Sequence, residues 1–127
     1  VVTVSQVSAG RKNRCSLEVS GAYQTLSWNS ESPNDLWIGK RNEPNAVMMR
    51  DPAFVDQEVR NIISYPGGHN EGFGDTSKQL FKEIYEAVRA DAPPSNPSYP
   101  TFEDGLRELI LCDKIVESHR TQAWVRV

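Results

Sequence analysis

Several features that mark specialised protein classes are scarce or absent in this chain of 127 residues. It has only two cysteines, Cys15 and Cys112, and neither has a CxxC partner or a histidine at zinc-finger spacing. We therefore expect two free thiols in a reducing cytoplasm. No apolar run forms a signal peptide or approaches the length of a membrane span, so we expect a cytoplasmic protein without membrane contact.

The chain also lacks an excess of positive charge. Its 14 Lys and Arg residues are outnumbered by 17 Asp and Glu residues, and both signs are mixed along the sequence. Without a basic patch, nucleic acid is not an expected partner. The length is sufficient for one domain with its own core.

The two ends of the sequence both have strand-like composition. Residues 1–7 are rich in valine and begin without an initiator methionine, and residues 123–127 form a similar run. Because a natural chain rarely starts inside a strand, we expect an excised domain, the C-terminal part of a longer polypeptide.

Alternating apolar and polar residues dominate the first half of the sequence. In residues 15–20, for example, Cys15, Leu17 and Val19 share one face of a predicted strand. Similar short runs are separated by turn-like segments. They occupy residues 25–28, 35–40 and 47–50. Short strands joined by tight turns predict an antiparallel meander, and residues 51–60 predict a loop with a short helical turn.

Two amphipathic helices are predicted in the second half, at about residues 76–90 and 101–118. Thr101 and Asp104 have capping-box spacing at the start of the second, and the proline-rich residues 92–100 form a stiff connector between the two. Apolar side chains are predicted to form the buried side of the second helix. These are Phe102, Leu106, Leu109, Ile110 and Val116. With the run at 123–127 as a last strand, we predict an α+β fold, a mainly antiparallel open sheet with two helices packed on one face, in a single domain over residues 1–127.

Three tryptophans are many for so small a sheet. If some of Trp28, Trp37 and Trp124 point away from the helices, the opposite sheet face is a candidate partner interface. The alternative is that all three pack beneath the helices.

The sequence Tyr-Pro-Gly-Gly-His-Asn-Glu-Gly-Phe-Gly-Asp-Thr at residues 65–76 is the strongest candidate for a functional loop. It places His69 and Glu71 among four glycines just before a helix, which Asp75 or Thr76 can cap. Loops of this kind often carry binding residues. The alternative is a glycine-rich connector with an exposed histidine.

Other motifs fail on their chemistry. Residues 72–77 resemble a truncated GxGxxG, but no parallel strand follows the helix, so dinucleotide binding by this segment is rejected. His69 and Glu71 form an H-x-E pair without the Pro-Cys-x-x-Cys that zinc deaminases require, so no metal site is expected. No G-x-S-x-G elbow is present, and Cys112 is predicted to be a core residue.

Two motifs stand out in the sequence, PGGHNEGF at residues 66–73 and PTFEDG at residues 100–105. Further segments accompany them at residues 4–14, 17–21, 26–29, 33–39 and 79–89. In this order, over nearly the whole chain, the segments resemble the second domain of the glucose–fructose oxidoreductase/inositol dehydrogenase/MocA (Gfo/Idh/MocA) family.

This resemblance implies the C-terminal domain of an NAD(P)-dependent oxidoreductase acting on a sugar, inositol or related polyol. Such a domain contributes to the substrate pocket and pairs with another subunit through its open sheet, so a homo-oligomer is expected. His69, Asn70 and Glu71 are the residues we expect near the substrate. The alternative is a non-catalytic assembly or binding module that forms dimers through its sheet.

The chain departs from the family by lacking an intact GxGxxG, the Glu-Lys-Pro that carries the catalytic lysine, and an Asp-x-x-x-His pair. We expect these features upstream of Val1, in an N-terminal dinucleotide-binding domain. The fragment alone should therefore bind no cofactor and catalyse nothing, and NAD or NADP would be bound by the parent protein.

Overall fold

Four short antiparallel strands form the only sheet in the part of the chain that the computed structural model describes, residues 1–92 and 94–127. They are β1 (Ser16–Ser20), β2 (Gln24–Asn29), β3 (Asp35–Lys40) and β4 (Ala46–Met49), in the order β1-β2-β3-β4. Each strand pairs with the next along the chain. The predicted antiparallel meander is confirmed.

The strand register separates the sheet into two chemically different faces. Leu17 pairs with Trp28, and Trp28 pairs in turn with Leu36, so apolar residues are aligned across the strands. The face that they form, the apolar face, comprises Leu17, Val19, Leu26, Trp28, Leu36, Ile38, Ala46 and Met48. The opposite face, the mixed face, is polar on β1 and β2 but carries Trp37, Val47 and Met49 on β3 and β4.

The tryptophans therefore do not share one environment. Trp28 lies on the apolar face and Trp37 on the mixed face, so the three tryptophans cannot all pack beneath helices on one side. The Trp37 ring lies so close to Gly39 that a Cβ at Gly39 would come within 2.3 Å of it. Only a glycine leaves room for the indole at this position.

Helical structure follows the sheet. A 3₁₀ turn at Pro52–Phe54, with Asp51 accepting a hydrogen bond from the Ala53 amide, precedes α1 (Gln57–Arg60). The two main helices are α2 (Phe73–Arg89) and α3 (Phe102–Thr121). This confirms the α+β class, an antiparallel open sheet with two main helices, and the short helical turn predicted within residues 51–60.

The caps of the main helices match the sequence to different degrees. In α3 the predicted capping box of Thr101 and Asp104 is present, with both reciprocal hydrogen bonds formed. In α2 the helix begins three residues before the predicted Thr76. The Asp75 carboxylate accepts a hydrogen bond from the Gly72 amide at 2.9 Å, and the Thr76 hydroxyl donates to the carbonyl of Phe73 inside the helix. Thr76 is therefore not the cap.

The predicted terminal strands are wrong. Residues 1–7 and 123–127 are described and form no strand. Valine-rich composition favours extended backbone, but a strand also needs a partner that completes its hydrogen bonds. Local sequence cannot supply that information.

Contacts divide the chain into two compact units, Val1–Thr76 and Ser77–Val127, with the boundary inside α2. No hydrophobic side chain in the described residues is buried. The predicted buried side of α3 is exposed, with Phe102 at 98% and Leu109 at 67%, and Cys112 is exposed rather than in a core. An amphipathic pattern identifies an apolar face but does not specify what covers it.

Three further predictions concern single features. Cys15 and Cys112 are free thiols, as predicted. The predicted proline connector at residues 92–100 includes Pro93, which lies outside the described residues. Across residues 1–92 and 94–127, no helix combines the length and the apolar character needed to cross a membrane.

Candidate functional site

The glycine-rich loop is closed at its neck by the carboxylate of Glu71. One oxygen, Oε1, accepts hydrogen bonds from the backbone amides of Ser64 at 2.6 Å and Tyr65 at 2.9 Å. These bonds join the two ends of the segment 64–71, as in a compact Ω-loop. Glu71 is therefore engaged in holding the loop that carries His69.

Asn34 attaches this neck to the sheet. Its Nδ2 donates to the carbonyl of Glu71, and its Oδ1 accepts from the Glu71 amide, both at 3.0 Å. A side-chain amide that pairs with both backbone groups of one residue reproduces the pairing of a neighbouring strand. Asn34 thereby fixes the position of residue 71 beside the start of β3.

Arg50 binds the loop backbone from the end of β4. Its guanidinium donates from Nη1 to the carbonyl of Tyr65 at 2.9 Å and from Nη2 to the carbonyls of Pro66 and His69. Its Nε donates to Oδ1 of Asn34 at 3.0 Å. The loop backbone thus folds around one cation, and bonds with a charged donor are stronger than neutral ones.

The pair formed by Arg50 and Glu71 is mostly withdrawn from solvent. Nη1 of Arg50 lies 3.8 Å from Oε1 of Glu71, and the two side chains are only 15% and 14% exposed. Solvent screens such a pair less than it screens a surface ion pair, and loss of one partner would leave the other charge poorly compensated. The two residues are therefore mutually dependent.

Two of the loop glycines have definite structural requirements. Gly68 has a φ of +81°, a left-handed conformation that residues with a Cβ rarely adopt. Gly67 lies against Asp51, and a Cβ there would come within 2.1 Å of the Asp51 carboxylate. By contrast, a Cβ at Gly72 or Gly74 would meet nothing within 4 Å. The loop conformation therefore depends on the Gly67–Gly68 pair.

His69 and Asn70 occupy the exposed part of the loop. The backbone amide of His69 donates to the carbonyl of Pro66 at 3.3 Å, and Nδ1 lies 3.4 Å from the carbonyl of Gly67. In the tautomer protonated at Nδ1, Nε2 is left as a hydrogen-bond acceptor. An imidazole presented in this way can accept a hydrogen bond from a hydroxyl group, and the adjacent Asn70 amide can both donate and accept.

The structure thus brings the three predicted site residues together but assigns them different surroundings. His69 and Asn70 are exposed, whereas Glu71 is partly buried and bonded to the backbone. Sequence analysis missed Asn34 and Arg50. Their proximity follows from the strand register, which the structure supplies: Asp35 pairs with Met49, so the residues just outside that pair, Asn34 and Arg50, are opposite each other, and the Arg50 amide donates to the Asn34 carbonyl at 2.7 Å.

Shallow surface grooves occur elsewhere, along α3 and the turn that follows it. They are lined by residues of the second unit, among them Glu117, Arg120 and His119, and include none of the three predicted site residues.

Comparison with known proteins gives a clear structural likeness and no sequence-level match. Neither a protein-family model nor a curated protein sequence matches the chain. Among solved structures, an oxidoreductase from Sinorhizobium meliloti superposes with a TM-score of 0.85 at 29% sequence identity, over 96% of this chain. An inositol dehydrogenase homologue from Azotobacter vinelandii, solved with NADH and myo-inositol, has a TM-score of 0.87 at 24% identity, over 97% of this chain.

These structural neighbours are much longer than the chain. The chain covers 35% of the Sinorhizobium protein and 34% of the Azotobacter protein, about one third of each. At 24% identity the Azotobacter structure supports the fold alone. The fold is therefore one that occurs within oxidoreductases, including inositol dehydrogenase homologues.

Proposed function

We propose that this chain is the C-terminal domain of an NAD(P)-dependent oxidoreductase of the Gfo/Idh/MocA family, acting on a sugar, inositol or related polyol. The observation that carries the proposal is the superposition of 96% of the chain on about one third of an oxidoreductase at 29% identity. The family motifs PGGHNEGF and PTFEDG support the same assignment.

In this proposal the chain binds substrate and leaves the redox chemistry to a bound nicotinamide. NAD or NADP accepts the hydride in the parent protein, while polar groups of this domain hold the substrate hydroxyls. His69 and Asn70 contact those hydroxyls, and Glu71 keeps the loop in place through Ser64 and Tyr65. The Azotobacter structure with NADH and myo-inositol suggests the ligand class to test first.

The test is a substrate screen with the full-length protein. We expect reduction of NAD or NADP, followed by nicotinamide absorbance, with at least one inositol, aldose or alditol. Simple primary alcohols, which lack neighbouring hydroxyls, serve as the control and should react poorly. If neither NAD nor NADP is reduced with any polyol, the proposed activity is overturned.

We also assign the protein to the cytoplasm within this proposal.

A second candidate function is assembly of subunits through the sheet. It is favoured by the apolar part of the mixed face, where Trp37, Val47 and Met49 are 39%, 64% and 53% exposed. A cluster of this kind resembles the apolar centre of a protein interface. The two functions are compatible, because one domain can offer its loop to substrate and its sheet to another subunit.

A further inference from the structure

Arg50 is the structural centre of the candidate site, although it is not one of the exposed residues. A guanidinium carries five N–H groups, and four of those of Arg50 donate to oxygens of Asn34, Tyr65, Pro66 and His69. Nη1 also faces the Glu71 carboxylate. This arginine is therefore almost fully used by the protein itself.

Because these N–H groups are already bonded to the protein, Arg50 is not expected to recognise substrate directly. An arginine that binds a substrate carboxylate or phosphate presents a free edge of its fork to the ligand. The fork of Arg50 is instead directed at three backbone carbonyls, and its side chain is only 15% exposed.

The bonded carbonyls include those of Pro66 and His69, which flank the two glycines that shape the turn. Fixing both sides of a flexible turn fixes its path. Because the His69 carbonyl accepts a hydrogen bond from the guanidinium, rotation of the His69 backbone would break that hydrogen bond.

We propose that Arg50 is a positioning residue: clamped by Asn34 and Glu71, it sets the backbone of residues 65–69 and so the direction in which His69 meets the substrate. This inference rests on the proposed function for its substrate, but the geometry of the clamp does not. Because a displaced His69 loses at most the hydrogen bond that its removal would lose, we expect catalytic efficiency to fall by up to roughly fivefold.

The experiment compares Arg50→Lys and Arg50→Ala with the matched control Arg41→Ala in the full-length protein. Arg41 also donates from Nε to a backbone carbonyl, that of Ala22, but lies outside the loop. We expect both Arg50 variants to raise KM for the polyol, with a smaller effect on kcat, and the Arg41 variant to match wild type. Lysine should not substitute, because its single nitrogen cannot reproduce the planar fork.

Two measurements separate positioning from a general loss of stability. At temperatures well below the melting temperatures of the Arg50 variants, the NMR signals of the His69 ring should differ from those of wild type. Millimolar guanidinium, but not ammonium, should partly restore the wild-type ring signals in Arg50→Ala. Asn34→Asp provides a milder variant, because it retains the acceptor for Arg50 but loses the donor to Glu71.

Unchanged His69 ring signals in folded Arg50→Lys would overturn the inference, even if activity fell. If the wild-type protein oxidised no polyol, the proposed function would fail, and the ring signals and guanidinium rescue would still decide the role of Arg50.

Discussion

His69 reaches solvent from a loop whose backbone is fixed by side chains from two strand ends. Asn34 precedes β3 and Arg50 follows β4, so the sheet determines where the loop neck lies. Within residues 1–92 and 94–127, the histidine ring makes one long contact, with the carbonyl of Gly67. Asn34 and Arg50 thus hold the loop backbone, while a different side chain, that of His69, is exposed to solvent.

We expect His69→Ala to raise KM or lower kcat for the polyol several-fold in the full-length protein. Loss of one hydrogen bond of about 1 kcal/mol corresponds to roughly a fivefold change. The matched control is His119→Ala, because His119 is the other histidine and is exposed near the end of α3. Steady-state kinetics in which both variants match wild type would remove His69 from the site.

Gly68→Ala tests the left-handed turn. We expect a cost of about 1–2 kcal/mol in loop conformation, because an L residue with a Cβ is strained at the φ of +81°. The control is Gly72→Ala, where a Cβ meets nothing within 4 Å. Kinetics and chemical denaturation should separate the two variants. Equal behaviour would show that the turn does not depend on Gly68.

At the scale of whole elements, the short strands of the sheet were predictable because alternation is a local signal. Leu17 and Val19 identify their face from five residues of sequence. The valine-rich residues 1–7 failed as a strand because pairing is not local. The loop was predictable from its glycines and histidine, but the contribution of Arg50 was not, since it lies 15 residues from Tyr65 and meets it only through the fold.

The N-terminus of α3 offers a separate prediction. We expect Thr101→Ala to reduce the free energy of unfolding by about 1 kcal/mol, because the Thr101 hydroxyl accepts a hydrogen bond from the Asp104 amide. Thr101→Ser keeps this acceptor and should retain most of the stability. Equal losses in both variants by chemical denaturation would contradict the role of the hydroxyl.

The same cap has a pH dependence with a definite sign. Hydrogen bonds from the backbone amide and then the side chain of Thr101, with a smaller effect of Arg107, lower the pKa of Asp104 below its ordinary value. The stability from this carboxylate is complete above the ordinary pKa and is lost as pH falls through the lower folded-state pKa. The pKa of Asp104 can be followed by NMR titration. Glu103→Gln, in the same helical turn but outside the capping box, should leave this lowering of the Asp104 pKa in place.

At the scale of the whole chain, apolar surface is the prominent feature. Leu17 on the apolar face is 62% exposed, and Val47 on the mixed face is 64% exposed. The chain also covers only about one third of its structural neighbours. If the domain assembles subunits as proposed, the mixed face is the part of this surface that lies between them.

Val47→Lys tests the mixed face. If that face joins two subunits, burial of a valine side chain contributes about 1.5–3 kcal/mol, so its replacement by a charge should weaken association roughly tenfold or more. Ser16→Lys adds the same charge on the polar edge of the same face and should have a smaller effect. Light scattering over a dilution series of the full-length protein would show the difference. An unchanged oligomeric state in Val47→Lys would exclude this interface.

The closed neck of the loop allows the exposed residues 69 and 70 to be substituted without loss of the loop conformation. Glu71, Asn34 and Arg50 secure its base mainly through backbone groups, and these bonds do not depend on the identities of the side chains at positions 69 and 70. The side chains at those two positions can therefore be changed together while the hydrogen bonds at the loop neck are retained. Libraries restricted to residues 69 and 70 would test new ligand preferences on an unchanged loop backbone.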